Sequence, residues 1–293
     1  MHFLILCILS STGIFVVFKS LERYSIPSFP IIVINYFAAT MLGFFINRGQ
    51  VTYNGIKEMD WLAMSVIIGI LFIIMFFLVA LSTRKAGISV TTVASKMSVI
   101  FPIVFSLIID ASDQISFIKI AAIICTLGGV FLTVYKPNNR TLDKAVLYIP
   151  IILFFGMGLV DSLVKFAQHR FVNDSDTALF SAVLFLNAFV SGIVVLIFFP
   201  AFHKSMLKPK IWGWGLLLGV VNFGSIYFLV RALNYVSSGG FRLDSSVVFG
   251  INNIGIVALS VFIGRLIFKE RLQPLNWLGI ILSLLALLSF TFG

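Results

Sequence analysis

Long apolar runs separated by short polar turns make up almost the whole chain. Ten runs are predicted, at about 3–18, 30–47, 61–82, 88–109, 117–135, 145–166, 177–200, 211–235, 243–267 and 274–292. A helix needs about 20 predominantly apolar residues to cross a bilayer core, and these runs cluster around that length. The first run ends at Lys19 and has no basic stretch before it, so it is read as a retained helix and not as a cleaved signal. Trp61 opens the third run as an expected interfacial anchor. Arg84, Lys85 and Gly87 form a basic turn into the fourth, and 110–116 a tight polar turn into the fifth. Lys136–Lys144, KPNNRTLDK, is the most polar and turn-rich stretch, and the best internal boundary. No segment reads as a soluble domain. The expected fold is an all-α polytopic membrane protein with ten transmembrane helices.

Composition agrees with the pattern. The chain of 293 residues is 60% hydrophobic and 11% charged, with a mean hydropathy of +1.10, against a charged share of about a quarter in soluble domains. A soluble protein of this size has no way to hide so much apolar surface. The net charge of +10 then points to anionic headgroups and topology instead of nucleic acid. Cys7 and Cys125 both lie in apolar runs, and give neither a disulfide framework nor a metal-ligand spacing.

The fourth run carries the most informative chemistry. Lys96 lies inside it, where a lysine at mid-membrane costs about 2.5–3.5 kcal/mol on insertion scales and so needs a partner or a purpose. Ser89, Thr92 and Lys96 recur at i, i+3 and i+7, a polar stripe on one helix face. Pro102 lacks an N–H, so it is expected to leave the Ser98 carbonyl without its helical donor and to act as a hinge beside the charge. Together these features suggest a cavity lining. The structural alternative is a lysine that snorkels to the nearer interface or pairs permanently with a carboxylate on another helix.

The chain also repeats itself. Lys19 and Lys165 close the first helix of each half, and Asn35 and Asn187 stand in NYF and NAF of the second. Ala80-Leu81 and Ala232-Leu233 end the third, and Asp113 and Glu270 occupy the turn before the last. Their separations of 146, 152, 152 and 157 grow in order, as loop insertions would make them. The expected domains are a first five-helix repeat at 1–135, a linker at 136–144 and a second five-helix repeat at 145–293. Five is odd, so the halves must run in opposite senses, the inverted repeat of many transporters.

The turns before the last helix of each half carry a family resemblance. LIFKERLQPLNWLGIILSLLALL, at 266–288, resembles the recurrent glutamate-arginine, spacer, glycine turn of EamA-type members of the drug/metabolite transporter superfamily, through Glu270, Arg271 and Gly279. PIVFSLIIDASDQISFIKIAAIICTLGGVFL resembles the same turn in the first half, with Asp113 and Gln114 where Glu-Arg is usual. The resemblance implies ten helices, a pathway between the repeats, and both termini in the cytoplasm. The charge pattern points the other way: loops after odd-numbered helices hold thirteen basic residues against six after even-numbered ones, which places both termini outside.

In the ninth run, FRLDSSVVFGINNIGIVALSVFIG, Ser245 and Asn252 share a helix face, as do Ser246 and Asn253. The offset of 157 maps Lys96 onto Asn253. A lysine in one half and amides in the other would form an asymmetric polar site, whereas the structural alternative is interhelical hydrogen bonding. Gly215 and Gly219 form a GxxxG pair, expected to pack. Asp161 and Lys165, four apart with the acid first, are expected to neutralise one another, or else to carry a proton and contact substrate respectively. Asp244 is expected to cap the ninth helix, with a counter-ion role towards Lys96 as the alternative, and Lys19 to sit at an interface while remaining a candidate for the pathway.

The sequence lacks a Walker loop, an HExxH pair, a nucleophile elbow and any His/Cys cluster. No enzyme activity and no cofactor are expected. The predicted function is secondary-active transport of a small polar metabolite by alternating access. A basic centre without a deep carboxylate leans towards an organic or amino acid. The alternatives are a proton-coupled exporter of cationic or amphipathic compounds, and a non-transporting membrane enzyme or scaffold. The first helix lacks the buried glutamate by which the small multidrug branch binds cations, which weighs against cation export. Expected partners are a small-molecule substrate, H+ as a candidate coupling ion and the lipid bilayer, with no nucleic acid. The expected assembly is a monomer or a homodimer, and the expected location the cytoplasmic (plasma) membrane.

Overall fold

The computed structural model describes residues 2–46, 60–102, 104, 117–135, 145–171, 177–199, 202–233 and 245–292. Among them there is no strand. The apolar runs become α1 (His2–Arg23), α2 (Ser28–Ile46), α3 (Leu62–Ala86), α4 (Ile88–Met97), α5 (Phe117–Val134), α6 (Ala145–Phe171), α7 (Thr177–Phe198), α8 (Pro209–Leu233), α9 (Ser245–Leu266) and α10 (Pro274–Phe292). A helical turn, His203–Met206, precedes α8. Seven helices are long and apolar enough to cross a bilayer, and three apolar helices, Ile88–Pro102, Ile120–Val134 and Pro274–Ser289, are shorter. Asp113, the linker 136–144 and Asp244 lie outside the described residues. The large aliphatic and aromatic side chains left exposed along these helices, among them Phe45, Ile124, Ile197 and Phe262, suit a lipid surround.

The chain forms two compact units. Unit 1 comprises Met1–Lys19, Val79–Gly158 and Gly224–Gly293; unit 2 comprises Ser20–Leu78 and Leu159–Phe223. Each unit takes helices from both sequence halves.

In unit 2, α2 crosses α7. A Cβ on Gly43 would lie 3.0 Å from the Ala182 Cβ, and one on Gly192 would lie 2.8 Å from Val33. Position 43 thus meets 182 while 33 meets 192, so the two helices run antiparallel. Gly219 of α8 leaves room for the Asn35 carbonyl of α2, and Gly69 of α3 for Asn187 of α7. Asn35 and Asn187, matched in the sequence reading, thus each lie against a glycine of a neighbouring helix. Gly215 packs against Ile34, which bears out the packing expected of the GxxxG pair. Trp61, just before α3, is buried within the unit and packs edge-to-face on Phe180 with ring centroids 5.3 Å apart. An indole buries more apolar area than any other side chain, and Phe180 provides the edge-to-face partner that favours it inside.

In unit 1, α4 packs on α9 through Val93, Ala94, Met97 and Ile100 against Val257 and Val261. α5 crosses α10 at Gly129 and Gly279, where a Cβ on Gly129 would lie 2.9 Å from the Gly279 carbonyl oxygen. α10 opens on Pro274, whose fixed φ and missing N–H suit a first helical position. Asn276 then serves two helix ends. Its Oδ1 accepts from the Gln273 N–H at 3.0 Å, a capping-box arrangement. Its Nδ2 donates to the carbonyls of Thr133 and Tyr135, each at 2.9 Å, and of Leu132 at 3.2 Å, the unsatisfied end of α5. Asn276→Asp is nearly isosteric but turns a donor into an acceptor facing three carbonyls. It should cost about 3 kcal/mol, read as a fall in the unfolding midpoint in detergent; an unchanged midpoint would show that the carbonyl contacts carry no weight.

Candidate functional site

The site is built around the start of α4, whose first turn has free N–H groups and a partial positive charge. Its N-cap, Gly87, has no side chain to fill that role and adopts φ +99°, a conformation that disfavours any residue with a Cβ. The cap comes from far along the chain. Glu270 accepts from the Ile88 N–H at 2.6 Å through Oε1, and from the Ser89 N–H at 3.2 Å and Ser89 Oγ at 2.8 Å through Oε2. Glu270 is positioned by the end of α9, where its own N–H reaches back to the Gly264 carbonyl at 2.9 Å and Lys269 is left-handed at φ 54°. A Cβ on Gly87 would lie 2.6 Å from the Glu270 carboxylate, so the glycine is needed for space as well as for conformation.

Below this cap the polar stripe divides. Ser89 is committed to Glu270, and the Thr92 hydroxyl donates to the Ile88 carbonyl of its own helix at 2.8 Å. Ile88 to Ser95 and Met97 are buried, whereas Lys96 is half-buried. The helix is interrupted just after Lys96, at Ser98 and Val99, and resumes to Pro102. The interruption lies beside the carbonyl that Pro102 deprives of its i+4 donor. The Ser98 carbonyl is not orphaned: it accepts from the Phe101 N–H at 3.0 Å, a tighter i to i+3 bond. The Ser98 hydroxyl returns to the Ser95 carbonyl at 2.6 Å. The turn at 98–99 thus replaces the bonding that Pro102 prevents. The break lies three residues before the proline, nearer the lysine.

On α1, the Cys7 thiol donates to the Ser225 carbonyl at 3.1 Å and contacts the Ser11 hydroxyl. Lys19, further along α1, is half-buried and donates to the Thr83 carbonyl at 3.4 Å in the last turn of α3, where the helix dipole favours a cation. On α9, Asn252 and Asn253 are buried at 4% and 7% exposure, and the Asn252 Oδ1 has no hydrogen-bond partner among the described residues. Ser245 begins α9, and its side chain lies outside the described residues, as does that of Ser246. Unit 1 thus holds Lys19, Ser89, Thr92, Lys96, Pro102, Asn252 and Asn253. Asp161 and Lys165 belong to unit 2, one turn apart on α6, the acid half-buried and the lysine exposed.

Two buried polar features escaped the sequence. The Glu270 cap joins residues 181 and 182 positions apart; its only sequence signal was the glutamate-arginine turn. Asn35, singled out only as a repeat marker, is fully buried on α2, and neither of its amide atoms has a hydrogen-bond partner among the described residues. Asn187, matched to it in the sequence reading, donates to Ser65 Oγ at 2.9 Å.

Residues 148–292 match the model of the EamA-like transporter family. A Haemophilus influenzae protein, named only as an uncharacterized protein, is 29% identical over 98% of this chain and 96% of its own length.

Proposed function

We propose that this chain, whose residues 148–292 match the model of the EamA-like transporter family, is a secondary transporter moving a small anionic or zwitterionic metabolite, such as an organic or amino acid, by alternating access. The observation that carries the reading is Lys96: a half-buried cation on an otherwise buried helix, at the edge of a break in that helix. Ionisable groups at membrane depth are costly, and interrupted helices are the usual way transporters present polar groups to substrate. The Asn252 carbonyl, on the helix packed against α4 and without a hydrogen-bond partner among the described residues, adds an acceptor suited to an ammonium or hydroxyl of the solute.

The reading extends to ten spans in two inverted five-helix repeats, 1–135 and 145–293. Support comes from the helix pairs α2 with α7, α4 with α9 and α5 with α10, each of which joins a helix to its counterpart in the other half. The antiparallel crossing of α2 and α7 is what inversion requires. The protein resides in the cytoplasmic membrane, and protons or the substrate gradient drive it. Asp161, half-buried on α6, favours a second reading in which it carries a proton and the cargo is cationic.

The test is a thermal-shift screen against solutes sorted by charge, in wild type and Lys96→Gln, followed by counterflow in proteoliposomes. An anionic solute at 100 times its Kd should stabilise wild type by about 2.7 kcal/mol and leave the variant unmoved. Equal shifts in both proteins would make Lys96 structural. Stabilisation by cations alone, lost in Asp161→Asn, would favour the second reading.

A further inference from the structure

At one end of unit 2 the turn after α1 meets the segment that leads into α8. α1 closes with Ser25 left-handed at φ 51° and the Ile26 N–H on the Leu21 carbonyl at 2.9 Å, which leaves Tyr24 57% exposed. Lys210, in the first turn of α8, lies over the Tyr24 ring with Nζ 5.3 Å from its centroid, and the Trp214 ring is 6.2 Å from the same centroid. The segment before α8 is held in place: the Trp212 indole donates to the Met206 carbonyl at 2.9 Å, and Phe202 stacks on Phe29 at 5.3 Å. So fixed, it presents Lys204, Lys208 and Lys210 exposed, with Leu207 between them 84% exposed.

Arg23 is exposed on the facing turn, and none of these four cations forms an ion pair among the described residues. The single carboxylate of the two described segments, Glu22, is half-buried and already engaged. Lys210 also sits in a first helical turn, where the macrodipole disfavours a cation. Lysines with no ion pair among the described residues, around a bare leucine and beside tyrosine and tryptophan, make a poor aqueous loop. They suit a headgroup layer, with ammonium groups on phosphates, aromatic rings at the interface and the leucine towards the acyl chains.

We infer that this end of unit 2, formed by Arg23, Tyr24 and the segment Lys204–Lys210, binds anionic phospholipid headgroups. The binding is independent of which solute is carried.

The test titrates the purified full chain in detergent with phosphatidylglycerol, and in parallel with phosphatidylcholine and inorganic phosphate, reading the unfolding midpoint and lipid retained in native mass spectra. Phosphatidylglycerol alone should raise the wild-type midpoint and remain bound. Each lysine near an anionic surface contributes about a fivefold factor in affinity, so Lys204→Gln with Lys208→Gln and Lys210→Gln should weaken retention roughly a hundredfold. If the triple variant fails to fold, Lys204→Gln and Lys208→Gln alone, both exposed and unpaired, should each show about the fivefold loss. Equal stabilisation by the two lipids, reproduction of the effect by free phosphate, or wild-type lipid affinity in the variants would overturn the inference.

Discussion

Glu270→Gln should lower the stability of the protein by about 2 kcal/mol and Glu270→Ala by about 3, with transport falling further than stability. The carboxylate accepts three hydrogen bonds from two consecutive residues of α4. Bonds to a charged acceptor are worth about 1.5–3 kcal/mol each when buried. Glu270 is half-exposed, so solvent discounts that sum to a value nearer a strong N-cap plus one charged bond. Glutamine keeps one good acceptor but turns an N–H pair towards donors, whereas alanine leaves the first turn of α4 uncapped. Ser89→Ala alone should cost about 1 kcal/mol. Combined with Glu270→Gln it should add less than its single cost, since both remove the same bond. The excess loss of transport has a geometric cause. Lys96 lies eight residues beyond Ile88 on a helix whose start has no capping side chain of its own, so fraying at the cap moves the lysine. Thermal unfolding of the single and double variants, with uptake normalised to folded protein, checks this. Strict additivity, or transport that tracks stability one for one, would mean the cap does not set the position of Lys96.

The sequence made the helices legible because lipid leaves so few options: a run of about 20 apolar residues must satisfy its own backbone, and only a helix does so. Among the described residues, seven helices are long and apolar enough to span and three apolar helices are shorter. The polar details were less legible, because their partners lie far away in the chain. The spacing of Ser89, Thr92 and Lys96 is correct for one helix face, yet spacing cannot say that Ser89 donates to a carboxylate 181 positions on. Pro102 marked the right helix and the right neighbourhood, but local i to i+3 bonding moved the break to Ser98 and Val99. Trp61 marked the start of α3, but its edge-to-face packing on Phe180 depends on a residue 119 positions away and has no local sequence signal. Asn276 was invisible, since an asparagine two residues after a proline carries no mark of the helix end it will serve.

Gly129→Ala and Gly128→Ala should move stability in opposite directions, although the residues are adjacent on α5. Alanine is favoured over glycine inside a helix by about 1 kcal/mol, a gain available at both positions. At Gly128 a new methyl would meet only Leu282, 3.8 Å away, an ordinary contact with a flexible side chain. That variant should be neutral or gain up to about 1 kcal/mol. At Gly129 the methyl would run into Ser283 Oγ and lie 2.9 Å from both the Gly279 carbonyl oxygen and the Ser283 nitrogen. Backbone atoms cannot rotate away, so α10 itself must retreat. In a bilayer no hydrophobic force returns a helix to its partner, and close packing is a principal source of attraction. The same retreat would loosen the Asn276 bonds to the end of α5. Overpacking costs of about 1–3 kcal/mol are therefore a lower range here, and Gly129→Ala should lose 3 kcal/mol or more. The reciprocal change, Gly279→Ala, should match it, because a Cβ there would lie 2.6 Å from the Gly129 carbonyl oxygen. Unfolding midpoints of the three variants in one detergent decide the matter. If Gly128→Ala proves as damaging as Gly129→Ala, the loss comes from elsewhere on α5, and the glycine crossing is not what joins the last helices of the two halves.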